Sequence, residues 1–200
     1  MQPNTLNTNR SIIHIKNMVC DRCIRVIREE FIRTGFIQVH NIDLGHAEIS
    51  YNAQVITMDG IGDILKRNGF AILTDKDAQL VEQIKISIVQ LIYFGNNTNS
   101  LIRNSDFLSE KFELPYAHLS KVFSEKTNVT LEKYIIQIKI EKVKELISYN
   151  ELTLSEISYM MGYSSVQYLS NQFKQLTGIA VTDYKKNDKK IRISLDKVIG

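Results

Sequence analysis

Near residue 75 the apolar pattern changes character. Before it, alternating and helical periods follow one another at short intervals; after it only helical periods remain. SIIHIKN (11–17) alternates as a strand. CIRVIREEFIRTG (23–35) has helical spacing closed by Gly35, and FIQVHNIDL and HAEISYN read as two strands around Gly45. ITMDGIGDILKRNG is a second helix ending at Gly69, and FAIL (70–73) is a last short strand. The order strand, helix, strand, strand, helix, strand predicts a split βαβ arrangement, with two helices on one face of an antiparallel sheet. From Asp75, DKDAQLVEQIKISIVQLIYF places apolar residues along one side of a long connecting helix, stopped by the loop GNNTNS.

The second half predicts helices in a repeating arrangement. Asp106 to Glu113 is a short helix, Leu114, Pro115 and Tyr116 make a tight turn, and Ala117 to Thr127 is a second helix with Leu119, Val122 and Phe123 inward. Its outer face carries Ala117, Ser120, Lys121 and Ser124 at i, i+3, i+4, i+7. Such a small, polar face suits a helix lying in the major groove of DNA. After a long helix, Leu131 to Tyr149, the pattern recurs: LTLSEISYMM is a short helix, Gly162 permits a left-handed turn, and Ser164 to Thr177 is the second candidate reader. Leu169, Phe173 and Leu176 are expected to pack inward, leaving Gln167, Ser170, Asn171 and Lys174 outside with Ser164, Ser165 and Gln175. No acidic residue falls between Ser164 and Thr182, so a phosphate backbone would meet no repulsion there.

Composition narrows the class. With 44% hydrophobic and 24% charged residues, the 200-residue chain is ordinary for a globular protein and long enough for two small domains. The N-terminus MQPNTLNTNR has no apolar run behind it, and the most apolar later stretch, Ile84 to Phe94, contains Lys85 and is too short for a membrane span. A cytoplasmic protein without membrane contact is expected. The net charge of +3 resides in the C-terminal half, and residues 185 to 200 alone hold six basic and two acidic residues. A basic tail such as KKNDKKIR is by itself more often a solvated end than a nucleic-acid arm.

The string LTLSEISYMMGYSSVQYLSNQFKQLTGIAVTDYKK resembles the signature of the AraC family, through Gly162-Tyr163, Phe173-Lys174, the helix stop Thr177-Gly178 and the closing Tyr184-Lys185. The resemblance covers roughly 105 to 186 and departs from the family at Val181, where proline is usual. It implies a bacterial transcription regulator whose base-reading residues fall on Ala117, Ser120 and Lys121 in the first unit and on Gln167, Ser170 and Asn171 in the second. Ser164, Ser165 and Lys174 complete the candidate interface with double-stranded DNA.

The only two cysteines lie in MVCDRC (18–23), between the first strand and the first helix. Two thiolates at this spacing can both point at a soft cation. Helix N-terminal amides and Arg22 are expected to depress their pKa values. Met18, Cys20 and Cys23 match the Met-x-Cys-x-x-Cys motif of heavy-metal-associated domains, which the segment 11–74 resembles. The resemblance implies a ferredoxin-like βαββαβ fold, Cu(I) as first metal with Zn(II) second, Met18 packed beneath the loop and Phe70 beside the site. An idle or redox-active pair is the alternative reading of the same residues. None of His14, His40, His46 and His118 stands out as a further ligand, His14 being placed outward on the first strand.

The expected architecture is therefore α+β. A ferredoxin-like domain (11–74) leads through a connecting helix and loop (75–100) to an all-α tandem helix-turn-helix DNA-binding domain (101–190) and a tail (191–200). The expected function is a sequence-specific DNA-binding regulator controlled by metal or thiol state at Cys20 and Cys23, with a homodimer as candidate assembly. The alternative is a metal-handling or redox-sensing protein whose helical half binds DNA without metal-dependent control. An alkyl-repair enzyme is excluded, because zinc-activated methyl acceptors of that kind need about four cysteines. No catalytic triad, phosphate loop or paired acid appears, so no enzyme is expected.

Overall fold

The computed structural model describes residues 8–95, 104–187 and 191–198. The polar start of the chain (1–7), most of the predicted GNNTNS loop (96–100) and parts of the basic tail (188–190, 199–200) lie outside the described residues. Two compact units divide the chain between Ile86 and Ser87, within one helix.

The first unit runs β1 (Thr8–Lys16), α1 (Asp21–Thr34), β2 (Ile37–Asp43), β3 (His46–Asn52), α2 (Met58–Arg67), β4 (Ala71–Leu73) and the first part of α3 (Lys76–Tyr93). All strand pairings are antiparallel, in the order β2-β3-β1-β4. Alternation puts Ile13 and Ile15 of β1 into a core shared with Ile27 and Phe31 of α1 and Ile61, Ile64 and Leu65 of α2. In β2 the register slips between Val39 and Asn41, and this extra residue lets Ile37 and Ile42, at odd and even positions, face the same core. Left-handed Gly35 ends α1, and the Thr57 hydroxyl caps α2 by accepting from Gly60 N.

Gly45, at φ +86°, turns β2 into β3 and leaves no room for a side chain: a Cβ there would lie 2.7 Å from Ile86 Cδ1 and would also strike the Gln83 amide. The bare turn lets α3 pack close.

The second unit holds the rest of α3, then α4 (Asn104–Phe112), α5 (Tyr116–Thr127), α6 (Leu131–Tyr149), α7 (Leu154–Met160), α8 (Val166–Thr177), α9 (Val181–Lys186) and a short 3-10 turn, Leu195–Lys197. Its central helix α6 buries ten residues, among them the ion pair Lys144–Glu141 at 2.6 Å. Glu141 and Glu145 also hold the C-terminal segment, accepting from Ile193 N at 2.9 Å and Arg192 at 2.6 Å. No helix among the described residues is long and apolar enough to cross a membrane.

Candidate functional site

The two helix-turn-helix units repeat one structure, their second helices fifty positions apart and the turns ahead of them forty-nine. Phe123 packs on Tyr134 with ring centroids 5.3 Å apart, and Phe173 packs on Tyr184 at the same 5.3 Å. Thr127 Oγ1 donates to Phe123 O at 2.8 Å, and Thr177 Oγ1 to Phe173 O at 2.7 Å. Asn128 and Gly178 then end their helices in the left-handed conformation. The turns between paired helices agree as well. Glu113 (φ 53°) and Gly162 (φ 68°) are left-handed, each followed by an N–H that reaches five residues back, Leu114 to Ser109 O and Tyr163 to Ser158 O.

This register aligns the candidate readers pairwise: Ala117 with Gln167, Ser120 with Ser170, Lys121 with Asn171, Ser124 with Lys174. Ala117, Lys121, Gln167, Asn171 and Lys174 are exposed, as expected, while Leu119, Val122, Phe123, Leu169 and Phe173 are buried. The serines are less available. Ser120 and Ser170 are half-buried; the Ser124 hydroxyl donates to Ser120 O and the Ser170 hydroxyl to Val166 O, both at 2.8 Å, so each bends onto its own helix. Gln167 Nε2 donates to Asn171 Oδ1 at 3.0 Å, a helical i, i+4 pair that orders both amides. Lys121 stands 3.9 Å from Glu125 on open surface, where such a pair contributes little.

Four expectations for these helices are corrected. The second reader begins at Val166, because Ser165 is its cap: its hydroxyl accepts from Tyr168 N at 3.1 Å, and Ser164 stays exposed ahead of it. Tyr116 is the first residue of α5 and not part of the turn, whose left-handed residue is Glu113, just past the end of α4. The first short helix accordingly runs Asn104–Phe112. Leu176 is exposed: it sits in the last turn of α8, beyond Phe173, and it is Phe173 that Tyr184 of α9 covers.

In the first unit, Cys20 and Cys23 are free thiols with sulfurs 3.9 Å apart, Cys20 at the cap position of α1 and Cys23 in its first turn. Metal–sulfur bonds of about 2.3 Å let two sulfurs on one ion stand at most ~4.6 Å apart, so the spacing fits a shared soft cation. No set of three or more His, Cys, Asp or Glu side chains that could hold a metal gathers among the described residues. Met18 is fully buried, and it and Phe70 belong to the core against which Cys23 packs. The Cys23 thiol is corrected in direction: burial pushes its pKa up, and this outweighs the hydrogen bonds from Val19 and Cys20 that lower it. His14, opposite His46 across β1 and β3, is half-buried, with Nδ1 lacking a hydrogen-bond partner among the described residues; burial and His46 lower its pKa.

Sequence reasoning missed Asn17. Its left-handed backbone (φ 72°) sends its N–H to Glu82 Oε1 at 2.6 Å, its side chain to Gly69 O at 2.9 Å, and its carbonyl toward Cys23 Sγ at 3.9 Å. An Asn before a Met-x-Cys loop, with left-handed tolerance, was the available signal.

Residues 108–187 match the helix-turn-helix domain family. The Msm operon regulatory protein of Streptococcus mutans is 29% identical over 87 residues, 44% of this chain and 31% of that protein. The HTH-type transcriptional activator RhaS of Escherichia coli is 26% identical over 72 residues, 36% of this chain and 26% of that protein. This chain thus spans about a third or less of the length of these two relatives. Among solved structures, the C-terminal domain of AraT, a response regulator from Geobacillus stearothermophilus, shares 21% identity, with a TM-score of 0.48 over 60% of this chain and 92% of that one.

Proposed function

We propose, from the premise that the C-terminal half is a helix-turn-helix domain of the AraC type, that the chain binds double-stranded DNA at specific sequences and regulates transcription, without being an enzyme. The observation that carries this is the structural repeat, which presents two polar helix faces, α5 and α8, from one compact unit. Tandem readers would enter two major-groove segments about one turn of duplex, ~34 Å, apart. Footprinting on selected binding sequences tests this; two protected segments at that spacing are expected, and protection confined to one groove segment overturns the tandem reading.

The first unit is read as a heavy-metal-associated-like, ferredoxin-like module in which Cys20 and Cys23 are the input. The strand order, the buried Met18 and the 3.9 Å sulfur spacing support this. Cu(I), with its preference for few thiolate ligands, is the first candidate and Zn(II) the second. Bound there, the ion would draw both thiolates together and stiffen the loop ahead of α1. Binding of one Cu(I) per chain by wild type, and none by the Cys20→Ser, Cys23→Ser double variant, is the expected result; equal binding by both removes the metal reading.

A further inference from the structure

A cavity of about 410 Å³ opens in the second unit between the two helix-turn-helix repeats, a volume in the range of small-molecule sites. Its lining includes Tyr116 at the start of α5, Glu132, Ile136 and Lys139 of α6, and Tyr163 and Tyr168 around the start of α8.

Its polar groups converge from opposite ends. The Lys139 ammonium donates to Met161 O at 3.0 Å and lies 5.6 Å from the centroid of the Tyr163 ring, which leaves donors to spare. Among the described residues no carboxylate comes within ion-pair distance of it, and burial lowers its pKa. The hydroxyl of that same Tyr163 is buried with no hydrogen-bond partner among the described residues. A buried donor left unmet is unusual and marks a place where a ligand atom is wanted. At the other end Glu132 accepts the Tyr116 hydroxyl at 2.8 Å and remains exposed, with its second carboxylate oxygen to offer. Glu132 and Lys139 are seven residues apart on α6, two turns or about 10 Å, with Ile136 between them. Tyr163 and Tyr168, 5.9 Å apart and edge to face, supply an aromatic wall.

We propose that this cavity binds an elongated amphoteric small molecule: a flat apolar body with an anionic group at one end, set on Lys139 and the Tyr163 hydroxyl, and an ammonium at the other, set on Glu132. Allowing roughly 3 Å for a hydrogen bond at one or both ends, the charged groups of the ligand stand on the order of 6 Å apart. A DNA phosphate is a poor occupant, because Glu132 lines the same space and repels it. The site is independent of the DNA reading, although its walls include residues of both helices which that reading makes readers.

The test is titration calorimetry on the full chain with 4-(aminomethyl)benzoate as probe, beside 4-methylbenzoate and 4-methylbenzylamine, which each keep one charged end. Wild type is expected to bind the two-ended probe at least ~10-fold more tightly than either one-ended analogue, as losing a charged hydrogen bond requires. Tyr163→Phe removes only the unpartnered hydroxyl, so its melting temperature should hold or rise while probe affinity falls roughly 3- to 10-fold. Lys139→Met should lower affinity by more than ~10-fold. Absence of binding, equal binding of all three probes, or indifference to Tyr163→Phe overturns the proposal. So does a Lys139→Met variant that weakens binding to all DNA sequences alike while the probe fails to bind wild type, since the lysine would then be a phosphate contact.

Discussion

The backbone N–H of Asn17 donates to the buried Glu82 carboxylate at 2.6 Å, tying the loop that precedes Cys20 to helix α3. Burial raises the Glu82 pKa, and the Asn17 N–H, Lys85 and Lys16 pull it back only in part. A carboxyl whose pKa is higher folded than unfolded holds more protons in the folded state, so stability falls as pH rises from the unfolded value toward the folded one. Glu82→Gln keeps an acceptor for Asn17 and removes that titration. Urea denaturation from about pH 4 to pH 8 should show the variant gaining on wild type as pH rises; a constant difference would remove Glu82 from the account.

Two glycines separate backbone strain from crowding. Gly178→Ala meets nothing within 4 Å and bears only the left-handed backbone of the α8 cap, a cost of about 1 kcal/mol. Gly45→Ala carries the same kind of strain and also drives its methyl against Gln83 and Ile86. It should cost more, roughly 2–4 kcal/mol, in thermal or chemical unfolding.

Base readers and phosphate contacts should separate by their salt dependence. Asn171→Ala is expected to cost on the order of 1–3 kcal/mol on a selected sequence and to relax preference at one base position. Lys121→Ala should do so in the other half-site. Lys185→Ala and Lys186→Ala, at the exposed end of α9, should weaken all sequences alike and lower the salt slope by about one unit per lost contact. Gel-shift titrations at several salt concentrations distinguish the two patterns, and equal loss on random DNA would strike Asn171 from the readers.

If the thiol pair is an input, metal or oxidant must change DNA affinity by a coupling free energy of ~1–3 kcal/mol, and DNA must change metal affinity by the same factor. Operator binding by wild type and by the double Cys→Ser variant, each with and without Cu(I), Zn(II) and an oxidant, measures it. Affinities that never move would leave the pair without a role in DNA binding.

The periodic elements were legible in the sequence. Helix α6 runs Leu131–Tyr149 as its apolar spacing predicts, and the strand–helix order of the first unit follows from alternation and glycine punctuation. The buried residues of both reader helices were legible for the same reason, except at the end of α8, where covering Leu176 would need a partner that periodicity does not reveal. What could not be read were relations between distant residues. The Asn17–Glu82 bond spans 65 positions, and the cavity is lined by residues from Asn104 to Gln172. Burial reversed the expected direction at Cys23, because helix amides and Arg22 are local in sequence while the core pressing on that thiol is not.

With the hydroxyls of Ser124 and Ser170 turned back on their own helices, the two candidate reader faces are left with unequal side chains to discriminate by. On α5 the outward chemistry narrows to Ala117, half-buried Ser120 and the single long side chain of Lys121; on α8 it is a pre-ordered Gln167–Asn171 amide pair with Lys174 behind it. Two amides in mutual register can distinguish adenine from the other bases by donor and acceptor together, whereas a lone ammonium sees only acceptors. On the proposed DNA-binding reading, the information content of the operator should be lopsided: a strict half-site under α8, and a permissive one under α5 that chiefly holds the duplex in place.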